Sequence, residues 1–503
     1  MHRREALRRA AAAAAAIALA AAALGAEPKR PDYLAVVQRY ADAMIRHGRD
    51  VYGDERTPMF ATTLDRRTLR LFEGEALKKI KGIGRGGWGI RPHDRSVEGA
   101  NPMHHQNLYQ ALYALTRITG KRSYETEADA ALTCFFKRCQ SPATGLFAWG
   151  EHLGWNFLAE SRIQQHGSAG THEFYRPWVL WERCFRLAPE ACAKFAMGLW
   201  NHQIADHKTG DFSRHAAYDR HGPGRSSQYP RHGGFYIATW AAAYEHTKNP
   251  ELLKAIECLV AGFEARRNPT TGALPAETAS RSKGKLMWPS SNLSLAIDLW
   301  SGAEAVPDAL AAKMRACARR CDAIFLKLAH DLDTPGKGFM KSVNTDTLGP
   351  YERRGKSIYT HVWATGYGDA THADYALMCL DRYQQLKLAA YRKLFLDAAA
   401  QYLAAEPNTK IALHPGVVGQ VIGVMLRAWR LTGEKRYLDR ADHFGRLAVP
   451  IFWDTPSPLP RATTRHDHYE AITRADTLAL YLLDLWVAQN KPKLNLGLMN
   501  CER

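Results

Sequence analysis

The sequence predicts an all-α protein: an (α/α)n barrel of six or seven helical hairpins, with long loops forming a cleft at one end. Three observations predict it. Apolar residues recur at helical spacing over most of the chain. A helix, short turn, helix phrase returns several times with a similar turn sequence. Strand-like alternation is sparse, and no Gly/Asn-rich region is large enough for a second, all-β domain. Each hairpin cannot bury its apolar face alone, so neighbours must stack. Curved round on itself, the stack gives an inner and an outer ring of helices; an open helical solenoid is the alternative.

The elements follow in order. Residues 1–26 read as an export signal: Arg3, Arg4, Arg8 and Arg9, then a run of Ala, Leu, Ile and Gly, with Ala23 and Gly25 as small residues for cleavage. The order Arg3-Arg4-x-x-Leu7-Arg8 is twin-arginine-like, although Ala6 stands where a bulky apolar residue is usual. The apolar run of about 17 residues is alanine-rich and weak for a permanent membrane span. An exported protein, periplasmic or secreted, is expected. Residues 31–490 are expected to form one barrel domain and 491–503 a tail.

Within the barrel, Leu108, Leu112, Leu115 and Ile118 mark a helix over Gln106–Thr119. Gly120-Lys-Arg-Ser-Tyr124 breaks it before a second helix, Glu125–Cys139. The phrase returns as Ala238–His246 with Leu252–Ala265, and as Val421–Leu431 with Leu438–Leu447. Looser copies occupy 293–328 and 374–404, and a last helix is expected over 471–489. Loops at 82–107, 143–176, 209–236, 268–292, 332–369 and 450–470 hold most of the His, Trp and unpaired Arg. Long loops in a compact domain are usually functional.

The net charge is +18, and removing residues 1–26 lowers it to +15. Such a field draws polyanions. After the leader there is no Lys/Arg-rich run, no zinc-finger spacing and no nucleic-acid-binding motif, which argues against nucleic acid. An acidic polysaccharide is the expected partner, with no membrane partner. Nine cysteines, an odd number without CxxC, make no disulfide framework. Cys317 and Cys321, one helical turn apart, read as core thiols.

The densest chemistry lies in Tyr351-Glu-Arg353-Arg354-Gly-Lys-Ser-Ile-Tyr359-Thr-His361-Val-Trp363-Ala-Thr-Gly-Tyr367-Gly-Asp369. Cations, phenols and an imidazole stand together here instead of an apolar period. Met103-His104-His105-Gln106-Asn107 opens a helix; His105 and Asn107 suit substrate contact, with capping and packing as the structural alternative. Phe147-Ala-Trp149-Gly-Glu151-His152-Leu-Gly-Trp155 reads as a cleft wall, with rings for sugar faces and Glu151 and His152 for hydroxyls. Tyr229-Pro-Arg231-His232-Gly-Gly234 precedes a helix and offers a carboxylate clamp; its glycines imply close backbone approach. Glu277 and Asn292 suit supporting roles. Arg461, His466, His468 and Tyr469 crowd one helix entry as further contacts. His-x-His can bind metal, but no matching acidic cluster is evident, so neither metal nor cofactor is expected.

The 351–369 motif resembles the corresponding region of α/α-barrel polysaccharide lyases. The His-Gln-Asn helix start, the run at 145–152 and the run at 229–234 strengthen the likeness, which is nearest to polysaccharide lyase family 38. That resemblance implies cleavage of a polyuronate such as alginate or glucuronan, and an Arg and a Tyr six apart in the site, here Arg353 and Tyr359.

The chemistry can be argued from the residues. β-Elimination of a 1,4-linked uronate removes the C5 proton and expels the C4 oxygen. A cation must hold the carboxylate so that the developing enolate-like charge is stabilised. The planar fork of Arg353 suits this, with Arg354 beside it. Tyr has a reference pKa of about 10 and needs neighbouring cations to act as base. Tyr359 is expected as base and acid, Arg353 as neutraliser, His232 or His361 as helper, and Tyr367 as a contact. Two rival readings stand beside this one. A hydrolase or epimerase on the same fold would use loop carboxylates among Glu151, Asp219, Asp369 and Glu470; a non-catalytic glycan binder needs only charge and rings.

Overall fold

The computed structural model describes residues 30–163, 171–174, 176–220, 228–278, 284–364 and 369–503. Among them are fifteen α-helices. They are α1 (Tyr33–His47), α2 (Gly74–Lys81), α3 (Gln106–Thr119), α4 (Ser123–Arg138), α5 (Trp181–Leu187), α6 (Pro189–Gln203), α7 (Pro230–Thr247) and α8 (Pro250–Ala265). They continue as α9 (Pro289–Gly302), α10 (Asp308–Lys327), α11 (His372–Leu386), α12 (Ala389–Gln401), α13 (Pro415–Thr432), α14 (Lys435–Phe452) and α15 (Ala475–Asn490).

Alternate helices form two layers. α5, α7, α9, α11, α13 and α15 pack each on the next, and α15 turns back onto α3. These helices are the inner layer, and their composition says why. α13 is buried at thirteen of its first fourteen positions, and α15 is apolar almost all round. Their hairpin partners α4, α6, α8, α10, α12 and α14 are amphipathic and lie outside; α1 backs α15. Seven inner helices each have an outer partner, an (α/α)7 toroid within the expected six or seven. Close approach is built in where α13 meets α15. A Cβ at Gly419 would lie 2.6 Å from the Leu478 Cα, and one at Gly423 2.6 Å from the Tyr481 ring.

The sequence reading differs from the structure at identifiable places. α7 begins at Pro230, not Ala238, and α13 at Pro415, not Val421. In each, a proline that reads as a breaker is the first helical residue, where a missing N–H costs nothing. Arg231, His232 and Gly233-Gly234 therefore lie inside the first turns of α7, not ahead of it. Their close approach is to other helices: a Cβ on Gly233 would meet the Phe263 ring at 2.3 Å. The hairpin of α5 and α6 and the packing of α1 on α15 are not among the expected elements. The described strands are short and antiparallel and lie in the loops, as pairs such as Tyr469–Glu470 on Thr63–Leu64 and one set of three around Trp155–Asn156. All nine cysteines are free thiols. No helix among the described residues is long and apolar enough to cross a membrane.

Candidate functional site

Inner helices alternate with outer ones, so their N-termini all point to one end of the ring. There they surround a cavity of about 350 Å³. Its wall takes Arg231 and Ser290 from the first turns of α7 and α9, Asp374 and Tyr375 from α11, His414 from just before α13, and Arg474 from just before α15. Arg176, Glu151, Asp369, Glu502 and Arg503 also line it. Three of the helices open the same way: Tyr229-Pro230, Trp288-Pro289 and His414-Pro415 each put a ring before an N1 proline. Positive helix ends and guanidinium groups on one cavity favour an anion.

Hydrogen bonds hold the wall together. Arg474 Nη1 donates to Glu502 Oε2 at 2.7 Å and to Gln420 Oε1 at 3.0 Å. Gln420 Nε2 donates to Asp374 Oδ1 at 2.9 Å, and Asp374 caps α11 through Thr371. Arg176 lies 3.6 Å from Glu502. Burial alone would raise the Glu502 pKa, but Arg176 and Arg474 bring it down to about 2. Arg474 itself is left-handed, with φ of 64°, a conformation that costs a non-glycine residue roughly 1–3 kcal/mol. Gly416 leaves it room: a Cβ there would lie 2.3 Å from the Arg474 Cβ.

Of the residues expected in the site, Glu151 and Arg231 line this cavity. Glu151 accepts from Arg91 Nη2 at 2.6 Å. Arg231 donates its backbone N–H to Ser291 Oγ at 3.0 Å. Next to Arg231, His232 is fully buried, its ring edge-on to Tyr229. Tyr229 also packs on Trp288, and Arg214 lies 4.2 Å over its ring. Glu277 faces Arg214 at 3.5 Å.

The 351–369 motif forms a hairpin with residues 339–343: Tyr351 N donates to Ser342 O, Lys341 N to Ile358 O, and Thr360 N to Phe339 O. Arg353 and Arg354 are exposed on the turn that the Arg353–Lys356 bridge closes. Tyr359 is half-buried, bridged to Met340 and packed on a small apolar cluster. None of these three residues lines the cavity. Tyr367 lies outside the described residues. Half-buried His361 sits near Lys341 and near Asp369, which does line the cavity. Burial lowers the His361 pKa, and Lys341 adds to this against Asp369. Burial likewise lowers Lys341, with Asp369 opposing.

The other expected contacts are packed away. Trp149 is 0% exposed, enclosed by Phe147, Trp178 and Phe195, so its faces are filled by protein and not open to a sugar. Trp155 is buried in a short strand. His105 bonds the Tyr469 hydroxyl at 2.9 Å, and that hydroxyl meets Tyr40 at 3.0 Å, in the core. Burial pushes the His105 pKa down to about 3. Asn107 donates to Glu502 at 3.2 Å and so reaches the cavity only through it. His468 bonds Glu470 at 2.8 Å. His466 packs on Trp88, and Arg461 pairs with Asp454.

One group of ligand-type side chains stands beside the cavity. His93, Asp94 and His152 bring one donor atom each within 4.8 Å of one another. His152 Nδ1 is 3.1 Å from Asp94 Oδ1, and Arg91 holds the other Asp94 oxygen at 2.8 Å. Two imidazoles and a carboxylate could hold a divalent cation. No acidic cluster was expected beside His466 and His468, yet His468 bonds Glu470, and the ligand-type group itself lies elsewhere, at His93, Asp94 and His152.

A family model described as periplasmic pectate lyase matches residues 87–229. That stretch contains the ligand-type group, Glu151 and Arg176. Among solved structures, an unsaturated glucuronyl hydrolase specific for heparin aligns over 92% of this chain and 99% of its own, at 11% identity and a TM-score of 0.47. An α-mannanase from Bacteroides thetaiotaomicron aligns over 92% and 98%, at 8% identity and 0.46. A cellobiose 2-epimerase from Bacillus thermoamylovorans aligns over 90% and 99%, at 9% identity and 0.46.

Proposed function

We propose that this chain is an exported polysaccharide lyase that cleaves a 1,4-linked polyuronate by β-elimination. The observation that carries the reading is the convergence of Arg176, Arg231 and Arg474 on one cavity at the positive ends of the inner helices. The matching family model supports a polyuronate, and it adds pectate to the alginate and glucuronan implied by the sequence resemblance. The positive net charge supports a polyanion and steers it to the cleft.

In this reading Arg231 grips the C5 carboxylate, and Arg353 and Arg354 add charge from the exposed turn. His361 is the base, with Tyr359 its alternate. Its lowered pKa keeps the imidazole neutral near pH 7, free to accept a proton. The C5–H bond breaks and its proton passes to the base. The electron pair forms the C4=C5 double bond, and the C4–O bond breaks. The leaving oxygen takes a proton back from the imidazolium or the phenol, so charge and atoms balance. His232, buried beside Arg231, supports the clamp.

A hydrolase is the second reading, favoured by Glu151, Asp369 and Asp374 on the same cavity. Ultraviolet absorbance separates the two on polymannuronate, polyguluronate, glucuronan and pectate. Rising absorbance from unsaturated ends is expected on one polymer. New reducing ends without absorbance would replace elimination by hydrolysis.

A further inference from the structure

Residues 491–503 run back along the inner layer. Lys491 Nζ donates to Ile118 O and Arg117 Nη1 to Leu496 O, near the end of α3. Gln110 then bonds both the carbonyl and the N–H of Met499, and Cys501 Sγ donates to Asn107 Oδ1. The segment thus climbs α3 backwards over about 15 Å at 1.5 Å per residue. Meanwhile Asn500 reaches Asp381 on α11 at 2.9 Å, and Arg503 reaches Asp298 on α9 at 2.6 Å. A segment bonded at once to α3, α9 and α11 lies in the lumen of the ring. It closes the lumen below the cavity, and Glu502 and Arg503 become part of the cavity wall.

Glu502 is the hub of this floor. It accepts from Thr477 Oγ1 at 2.6 Å, Asn107 Nδ2 at 3.2 Å and Arg474 Nη1 at 2.7 Å, with Arg176 at 3.6 Å. Arg474 bonds both Glu502 and Gln420 through Nη1, while the side chain still lines the cavity. We propose that Glu502 is a positioning residue: it fixes the Arg474 fork, with Arg176 beside it, so that the two present a second carboxylate grip to an acidic sugar in the cavity. The inference rests on the polyuronate reading and adds a subsite to it. A fork needs a fixed plane to bind a carboxylate through two bonds, and the Nη1 bonds to Glu502 and Gln420 are what hold that plane in Arg474.

The test is calorimetric binding of galacturonate, mannuronate and glucuronate trisaccharides, each against its methyl ester, to the full chain and to Glu502→Gln. Wild type is expected to prefer at least one acid over its ester by about tenfold or more, the scale of 1.4 kcal/mol. In Glu502→Gln that preference is expected to fall by about threefold or more, Arg231 keeping the rest, with a rise in KM larger than the loss in kcat, and Glu502→Asp is expected to restore part of it. Unchanged acid preference in a folded Glu502→Gln overturns the positioning role and leaves the polyuronate reading standing. No acid preference in wild type overturns both. Should Glu502→Gln fail to fold, Arg474→Lys carries the same readout, because it keeps the charge and loses the fork; retained preference there overturns the inference.

Discussion

Arg95 grips Glu470 through two bonds, Nε to Oε1 at 2.6 Å and Nη2 to Oε2 at 2.7 Å, across 375 residues of chain. Both side chains are buried, and His468 adds a third bond at 2.8 Å. The pair ties the segment ahead of α3 to the segment ahead of α15, where the ring closes. Cutting one partner from a buried pair leaves a buried charge alone, which costs about 3–5 kcal/mol. Glu470→Ala is therefore expected to lower unfolding stability by about that amount in guanidinium titrations. A loss below about 1 kcal/mol would mean that water reaches Arg95.

The same carboxylate predicts an acid limit. Burial would raise its pKa, yet Arg95 and His468 hold it down to about 2, below the ordinary 4.5. A depressed folded-state pKa gives stability that is present above the unfolded value and lost as pH falls through the folded one. The melting temperature is expected to drop steeply between about pH 4.5 and pH 2, and less steeply in Glu470→Gln. Glu502 is depressed alike by Arg176 and Arg474, so the variant keeps part of the slope. Parallel curves for wild type and variant would reject the assignment.

What could be read from the sequence follows from what is local. The Gln106–Thr119 helix was legible to the residue because its apolar spacing is regular and Gly120 ends it in a left-handed cap. The starts of α7 and α13 were not, because Pro230 and Pro415 read as breaks. The ring-then-proline opening shared by α7, α9 and α13 was the available signal for residues that face the cavity. Arg474 was hidden inside an expected helix over 471–489; its role depends on a backbone turn that nothing in the local pattern demands. Glu502 sat in an apparent tail. Its partners come from α3, α15 and the loop at Arg176, a meeting created by ring closure and invisible to spacing. Trp149 reads as a cleft ring by composition, and packs as core because Phe136, Phe147 and Phe195 lie within reach.

The α13–α15 contact predicts a large effect from one methyl group. A Cβ at Gly419 would lie 2.6 and 2.7 Å from the backbone Cα and N of Leu478. Backbone cannot rotate away as a side chain can. Replacing helical glycine by alanine gains up to about 1 kcal/mol of helix propensity, whereas overpacking costs roughly 1–3 kcal/mol or more. Gly419→Ala is expected to be net destabilising in denaturant melts and to weaken uronate binding, since it lifts the start of α15 that carries Arg474. A gain in stability would show that the two helices separate freely.

Thiol reactivity reports the closed ring. Cys134 and Cys258 are half-buried and the other seven cysteines are buried. Burial raises the pKa of both half-buried thiols, so even they react slowly. Titration with an aromatic disulfide is expected to label no more than two thiols in native protein and nine in guanidinium. Fast labelling of Cys501 in native protein would place the 491–503 segment outside the lumen and remove the floor of the cavity.

The neutraliser can be assigned by comparing two arginines. Arg231 lines the cavity from the first turn of α7, while Arg353 stands exposed on a turn. Lysine keeps the charge of either but replaces a planar fork by a point charge. Losing one well-placed donor to a developing oxyanion costs about 10²–10³ in turnover. Arg231→Lys is therefore expected to lose about a hundredfold in kcat/KM on the cleaved polyuronate, and Arg353→Lys much less, because solvent screens an exposed charge. The base is separated in the same assay by pH. With His361 as base, the acid limb of kcat/KM follows an imidazole whose pKa lies below the ordinary 6.5, and His361→Ala removes that limb while Tyr359→Phe keeps it. Loss of the limb in Tyr359→Phe alone, together with the larger loss in Arg353→Lys, would move the chemistry from the cavity to the exposed turn.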